Sequence, residues 1–145
     1  MNPNHIGTNF DDFLKEEGTT MNDRFKFRVF DYDDNEMHDL IEIMYREDNT
    51  VVEWLNSEDK KRSAFIGEVA TVQCTGLKDK NGKLIYEGDI LQENWHKYIL
   101  EWANGAYVIK DIKRGTSYMF TSGICIHKSE VIGNIYENKE LLDDR

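Results

Sequence analysis

Closely spaced turn signals constrain the fold of this chain more than any other feature of its sequence. Within residues 74–91, CTGLKDKNGKLIYEGDIL, Asn81-Gly82 separates two apolar runs, and Glu87-Gly88-Asp89 leads into a third. Because Asn and Gly tolerate the positive φ angles of a type I′ turn, we predict a two-residue hairpin at Asn81-Gly82. A second hairpin signal, Asn104-Gly105, lies between two further apolar runs. Such short segments between turns favour antiparallel β-structure.

Apolar residues that recur with a period of two predict strands before this stretch. Phe25, Phe27 and Val29 alternate with basic residues. Ile41, Ile43 and Tyr45 follow the same period, which predicts that they share one face of a half-buried strand. Further strands are predicted at residues 51–55, between residues 65 and 74, and at residues 118–120, 124–127 and 131–136.

Short helices are predicted at both ends of the chain. In residues 9–18, NFDDFLKEEG, Asn9 can cap a helix, Gly18 can end it, and Phe10, Phe13 and Leu14 form an apolar stripe. A helix of this length is marginal alone, so it must dock on the body of its own chain, on a neighbouring subunit or on a partner. At the other end, Asn138 is predicted to cap a helix that includes Leu141 and Leu142.

These patterns predict an α+β fold that consists mostly of antiparallel β-structure. We expect a β-rich N-terminal half, a small SH3-like barrel as the C-terminal half, and one short helix at each end. Residues 1–24 are predicted to be a helical arm and residues 25–142 one domain. The charged segment 56–62 lacks core-forming residues and is interpreted as a boundary loop or mobile link, which divides the domain into possible sub-lobes 25–62 and 63–142.

The charge balance limits the classes of partner. Acidic residues outnumber basic ones, 28 to 18, and the formal net charge is -10. Phosphate-driven binding of nucleic acid relies on clustered Lys and Arg, so a nucleic-acid partner is not expected unless the basic residues gather on one side. A sequence without a membrane-length apolar run or a signal-peptide core predicts a cytoplasmic protein with no membrane partner.

The acidic segment 31–42, DYDDNEMHDLIE, has some features of a calcium-binding loop. It places oxygen ligands at positions 1, 3, 5, 9 and 12 of an EF-hand. However, Glu36 stands at the sixth position, where the sharp turn needs glycine, and a strand pattern rather than a helix precedes the segment. We therefore interpret the segment as a solvated β-turn.

The histidines and cysteines predict neither a metal site nor a catalytic site. The candidate ligands are His5, His38, His96, His127, Cys74 and Cys125. None of these histidines has a neighbour at metal-ligand spacing, and the two cysteines do not form a Cys-x-x-Cys pair. A cysteine could still meet His96 or His127 in space as a nucleophilic pair, but buried, reduced thiols are the commoner use. We predict no catalytic, cofactor or metal residue, and a protein that is not an enzyme.

Two further groups of side chains receive structural interpretations. Lys78, Lys80 and Lys83 form a compact basic cluster, which on a hairpin tip is usually solvated and in fewer cases contacts phosphate. The three tryptophans are Trp54, Trp95 and Trp102. We predict that they are core or interface anchors rather than platforms for stacked bases.

The turn-rich stretch also carries a family resemblance. The TGLKD turn at residues 75–79, the NGK hairpin at 81–83 and the YEGDI strand start at 86–90 resemble the central motif of the YopX family of phage and prophage proteins. Residues 130–138, EVIGNIYEN, are similar to the end of that family. The resemblance covers residues 25–142 and implies a phage or prophage relative, but no biochemical role, because the family has none assigned.

Three classes of function remain open. The first is a phage or prophage accessory protein in the bacterial cytoplasm, which acts through contacts with an unknown protein partner and self-associates through its N-terminal arm. The second is a small β-barrel that binds nucleic acid. The third is an acidic decoy that occupies the basic groove of a host or phage protein.

Overall fold

The computed structural model describes residues 21–120 and 128–143. The predicted helix at residues 9–18 and the predicted strand at residues 124–127 lie outside these residues. The described chain begins with helix α1 (Met21–Arg24) and ends with a 3-10 helix (Lys139–Leu142).

Strands β1–β6 form the first sheet. They are β1 (Phe27–Asp31), β2 (Glu36–Tyr45), β3 (Thr50–Leu55), β4 (Lys61–Phe65), β5 (Ala70–Lys78) and β6 (Leu84–Tyr86). Their order in the sheet is β4-β3-β2-β1-β5-β6, so β1 contacts β5 across the hairpins that separate them in sequence. The first sheet therefore contains strands from both sides of residue 62, where the boundary between sub-lobes is predicted. The division into sub-lobes stays a prediction.

Strands β7–β11 form the second sheet. They are β7 (Asp89–Glu93), β8 (His96–Ala103), β9 (Ala106–Asp111), β10 (Ser117–Met119) and β11 (Glu130–Asn134). Their order is β10-β9-β8-β7-β11. All the pairs in both sheets are antiparallel, which confirms the prediction of mostly antiparallel β-structure.

The predicted SH3-like barrel is not confirmed, because the second sheet is open in the described part of the chain. There β10 pairs with β9 and β11 pairs with β7, and no ladder joins β10 to β11. Closure of a barrel requires the two edge strands to pair. Within the described residues β10 comprises three residues, all of them exposed.

The apolar residues form clusters within and between the sheets. Val29 of β1 packs with Val52 and Trp54 of β3 in one cluster. The largest cluster joins Ile85 of β6 to strands of the second sheet, so the two sheets share a core; its other buried members are Leu91, Leu100, Ile109, Phe120 and Val131.

The C-terminal helix differs from its prediction, whereas the predicted helix at residues 9–18 stays a prediction. At the C-terminal end the chain forms a single 3-10 turn, and Asn138 does not cap it with its side chain. The reason is that Asn138 Oδ1 instead accepts the N–H of Asn134 at 3.1 Å. Helix α1, only four residues long, has no counterpart among the predicted helices.

Strand β4 replaces part of the predicted charged loop at residues 56–62. It pairs with β3, so residues 56–60 are the turn of a hairpin. Its charged side chains are accommodated because β4 is an edge strand: Lys61 forms an ion pair with Glu53, and Arg62 forms one with Asp33. A segment without core-forming residues can thus still be a strand when ion pairs anchor its side chains.

The two Asn-Gly hairpin signals have different outcomes. Asn104 and Gly105 have φ angles of 53° and 81°, and Ala103 pairs with Ala106, which confirms the two-residue turn between β8 and β9. At Asn81-Gly82 only Gly82 has a positive φ, of 79°. The predicted type I′ turn at Asn81-Gly82 is therefore wrong.

Asp79 determines the conformation of the turn at Asn81-Gly82. Its Oδ1 accepts the N–H groups of Asn81 and Lys83, both at 2.9 Å, and its Oδ2 accepts the N–H of Val131 at 2.8 Å. Burial alone would raise the pKa of Asp79, but the three backbone donors together hold this pKa below its usual range. One carboxylate thus organises the β5–β6 turn and binds it to β11.

We predict that Asp79→Asn lowers the free energy of unfolding by about 2–3 kcal/mol, because an amide cannot accept all three N–H groups. Urea unfolding measures the change. Asp59→Asn, in the exposed turn between β3 and β4, removes the same charge and is expected to have little effect. Equal losses in the two variants would contradict the role assigned to Asp79.

Candidate functional site

An open cavity of about 660 Å³ lies against strands β1, β2 and β6. We call it the β1–β2 groove. Its walls include Phe25, Arg28, Ile41, Tyr45, Leu84 and Tyr86. Apolar and charged side chains therefore face the same open space; the charged ones that line it are Lys26, Arg28, Asp39 and Glu42.

The apolar side chains of the groove are unusually exposed. Phe25 is 66% exposed, Ile41 56% and Tyr45 82%. The sequence period predicted that Ile41 and Tyr45 share a half-buried face with Ile43, but only Ile43 packs against the Val29 cluster. The pairing of β2 with β3 shifts between Leu40 and Glu42, and this irregularity places Ile41 out of register with its predicted face.

Arg28 is a charged residue of the groove that contacts two of its other walls. Its Nε donates to Asp39 Oδ1 at 3.0 Å, and its guanidinium carbon lies 4.0 Å from the centre of the Tyr86 ring. Burial opposes the charge of Arg28, but the hydrogen bond to Asp39 and the nearby Tyr86 raise its pKa overall. The arginine is thus fixed from two sides and holds the ring of Tyr86 in place.

A buried carboxyl and a thiol lie close to Tyr86. Asp89 Oδ2 accepts the N–H of Tyr86 at 2.8 Å, and burial raises the pKa of Asp89 to about 7. Burial also raises the pKa of Tyr86 to about 12. Cys74 packs against Tyr86 as a free, buried thiol, and burial raises its pKa too. A raised thiol pKa disfavours the reactive thiolate, which agrees with the structural interpretation of this cysteine.

The acidic segment 31–42 is a turn followed by β2, as its interpretation as a β-turn predicted. Glu42, at the twelfth EF-hand position, belongs to β2, and Asp39, at the ninth, binds Arg28. Ligand atoms of Asp31, Asp34 and His38 lie within 4.8 Å of one another.

Hydrogen bonds already occupy the oxygens of this small cluster. Asp31 Oδ2 accepts Trp54 Nε1–H at 2.9 Å, and its Oδ1 accepts the N–H of Asp33 at 2.8 Å. Asp34 Oδ2 lies 2.7 Å from His38 Nε2 and also accepts the N–H of Ser57. The cluster therefore connects the β1–β2 turn to β3 and to the turn that follows β3.

The remaining sequence candidates are dispersed. His96 lies beside Asp111, with 3.9 Å between Nδ1 and Oδ2, whereas Cys74 belongs to the cluster around Tyr86. The structure therefore does not pair these two residues, and His5, Cys125 and His127 lie outside the described residues. One lysine of the predicted basic cluster, Lys80, forms an ion pair with Glu130 at 3.4 Å; the other two are Lys78 and Lys83.

The tryptophans divide into two kinds. Trp54 is buried, as predicted for a core anchor, and donates to Asp31. Trp102 is partly exposed and forms an edge-to-face contact with Tyr107, with 4.8 Å between ring centres. Trp95 is 83% exposed in the turn between β7 and β8.

The raised pKa of Asp89 predicts a pH-dependent stability. Between about pH 4 and pH 7 the unfolded carboxyl loses its proton while the folded one keeps it, so the contribution of Asp89 to the free energy of unfolding falls as the pH rises. Asp89→Asn stays neutral, so its stability relative to the parent chain is expected to rise by about 3 kcal/mol from pH 4 to pH 8. Urea unfolding across this range measures the difference.

Asp48→Asn, at an exposed turn position, controls for the loss of one negative charge. A difference between Asp89→Asn and the parent chain that does not change with pH would contradict the account of Asp89.

Comparisons with known proteins agree with the fold and with the family resemblance. The sequence profile of the YopX protein family matches residues 26–143. The chain is similar to the crystal structure of protein yopX from Bacillus subtilis, with 20% sequence identity, a TM-score of 0.55 and coverage of 83% of this chain and 99% of that chain.

A second structure, of protein EF1440 from Enterococcus faecalis, is 25% identical, with a TM-score of 0.54 and coverage of 81% of this chain and 97% of that chain. No curated protein matches the chain. Among the described residues, no helix has the length and apolar character needed to cross a membrane. Since the family profile covers most of its length, this chain belongs to the YopX protein family.

Proposed function

We propose that this chain is a phage or prophage accessory protein that acts through protein–protein contacts in the bacterial cytoplasm and self-associates through its N-terminal arm. Membership of the YopX family supports the first part. The observation that carries the second is the exposure of Phe25, Ile41 and Tyr45 around one open groove. Full burial of an apolar side chain of this size contributes about 1.5–3 kcal/mol, so covering three of them favours association.

The predicted helix at residues 9–18 is the occupant that we assign to the groove. Its stripe of Phe10, Phe13 and Leu14 supplies apolar side chains that a helix so short must bury. An amphipathic helix in an apolar groove is a common mode of protein recognition. The two apolar surfaces therefore complement each other.

The position of α1 favours a groove on a second copy of the chain. Helix α1 packs on β5, where Gln73 Nε2 donates to the carbonyl oxygen of Arg24 at 2.7 Å. In the sheet, β1 lies between β5 and β2. The exposed Ile41 and Tyr45 lie on β2, on the other side of β1. Between Gly18 and Met21 the chain reaches roughly 10 Å, which limits how far the arm can extend toward its own β2.

Exchange of arms between two copies would form a closed dimer. Each copy then supplies one helix and one groove, which is the reciprocal arrangement of a twofold interface. An acidic decoy remains a prediction, and no catalytic role is proposed.

Removal of residues 1–20 is expected to convert a dimer into a monomer, because it removes the helix while the described body begins at residue 21. Light scattering coupled to size exclusion measures the mass, and circular dichroism checks that the β-structure is retained. Ile41→Ser is expected to weaken dimerisation about tenfold, since it removes part of the apolar wall.

Leu55→Ser is the matched control, because Leu55 is also exposed but does not line the groove. An unchanged mass after the deletion would contradict self-association through the arm. An equal effect of the two serine variants would contradict the assignment of the groove.

A further inference from the structure

A second cavity, of about 450 Å³, lies at one end of the second sheet. We call it the hairpin-end cavity. It lies between the β7–β8 turn and the loop that joins β9 to β10. The residues that line it are Trp95, His96, Lys97, Asp111, Lys113 and Arg114.

The charge of this cavity is opposite to that of the chain as a whole. Three of its lining residues are cations, whereas the chain has a net charge of -10. Within the described ranges, no ion pair to an acidic side chain forms at Lys97, Lys113 or Arg114. Glu93, opposite His96 in the strand register, does not line the cavity. The cations are therefore available to an external anion.

The acidic residue that lines the cavity faces inward. Asp111 is buried, and its Oδ1 accepts the N–H groups of Lys113 and Arg114 at 3.0 and 2.9 Å. The same hydrogen bonds fix the backbone that carries the two cations. A backbone hydrogen bond of 3.0 Å from Ile112 N–H to the carbonyl oxygen of Lys97 joins this loop to β8. The cations are thus held on a constrained backbone.

Trp95 adds an aromatic surface beside the cations. It lies in the two-residue turn after Glu93, where Asn94 adopts a φ of 56°. Aromatic rings that lie beside cations are the usual means by which proteins bind single-stranded nucleic acid, since bases stack on the rings and phosphates contact the cations.

We propose that the hairpin-end cavity binds single-stranded nucleic acid. Trp95 stacks on a base, and Lys97, Lys113 and Arg114 contact the flanking phosphates. The recognition is of backbone and base faces and carries little sequence preference. This activity goes beyond the protein contacts of the β1–β2 groove and uses the other sheet. Three basic residues gather at this one cavity, which gives an otherwise acidic chain a local site for phosphate.

Fluorescence anisotropy with a labelled oligothymidylate of about 15 nucleotides tests the proposal on the full chain. Trp95→Ala is expected to weaken binding about 5- to 150-fold, which is the range for loss of one stacked base. Lys113→Gln combined with Arg114→Gln is expected to lower the slope of log affinity against log salt by about 1.4, since each phosphate contact on a single strand contributes about 0.7.

Trp102→Phe and the pair Lys83→Gln and Lys139→Gln are the matched controls, because these residues are outside the cavity. Both are expected to leave the affinity and the salt slope unchanged. The proposal is overturned if the oligonucleotide does not bind, or if Trp95→Ala binds as well as the parent chain. It is also overturned if polyglutamate or inorganic phosphate competes as well as unlabelled oligonucleotide, because the cavity would then accept anions without regard to bases.

Discussion

The passage of the chain from the first sheet to the second depends on Gly88. Its φ of 85° is a conformation that few other residues adopt, and a Cβ there would lie 3.1 Å from the ring of Tyr136. Its N–H donates to the carbonyl oxygen of Leu100 at 2.8 Å, and its own carbonyl accepts the N–H of Ile135 at 2.9 Å. Tyr86, before this glycine, lines the β1–β2 groove, and β7, after it, begins the sheet that carries the hairpin-end cavity.

Local sequence signals predicted those parts of the fold that local interactions determine. Asn104-Gly105 forms its turn within the β8–β9 hairpin, where Ala103 pairs with Ala106. Asn81-Gly82 does not, because Asp79 binds Val131, 52 residues away, with the same carboxylate that shapes the turn. The family resemblance, which rests on the same stretch, was confirmed, whereas the barrel was not, because closure depends on how two distant edge strands pair.

The candidate sites were harder to predict than the strands. The exposure of Ile41 arises where β2 shifts its register against β3, and a period of two gives no sign of that shift. Trp95 was predicted to be an anchor from its residue type alone. Lys113 and Arg114 are remote from it in the sequence, and the pairing of β8 with β9 brings all three to one cavity. Both surfaces depend on contacts between strands, and the turn-rich motif at residues 74–91 contributes Leu84 and Tyr86 to the β1–β2 groove.

The central claim is that the β1–β2 groove receives the arm of a second copy. Hydrogen–deuterium exchange of the backbone amides in residues 36–45 tests this claim most directly, in the full chain and in a chain without residues 1–20. Slower exchange in the full chain, which becomes faster on dilution, is the expected result. Equal exchange in the two chains at every concentration would contradict the claim.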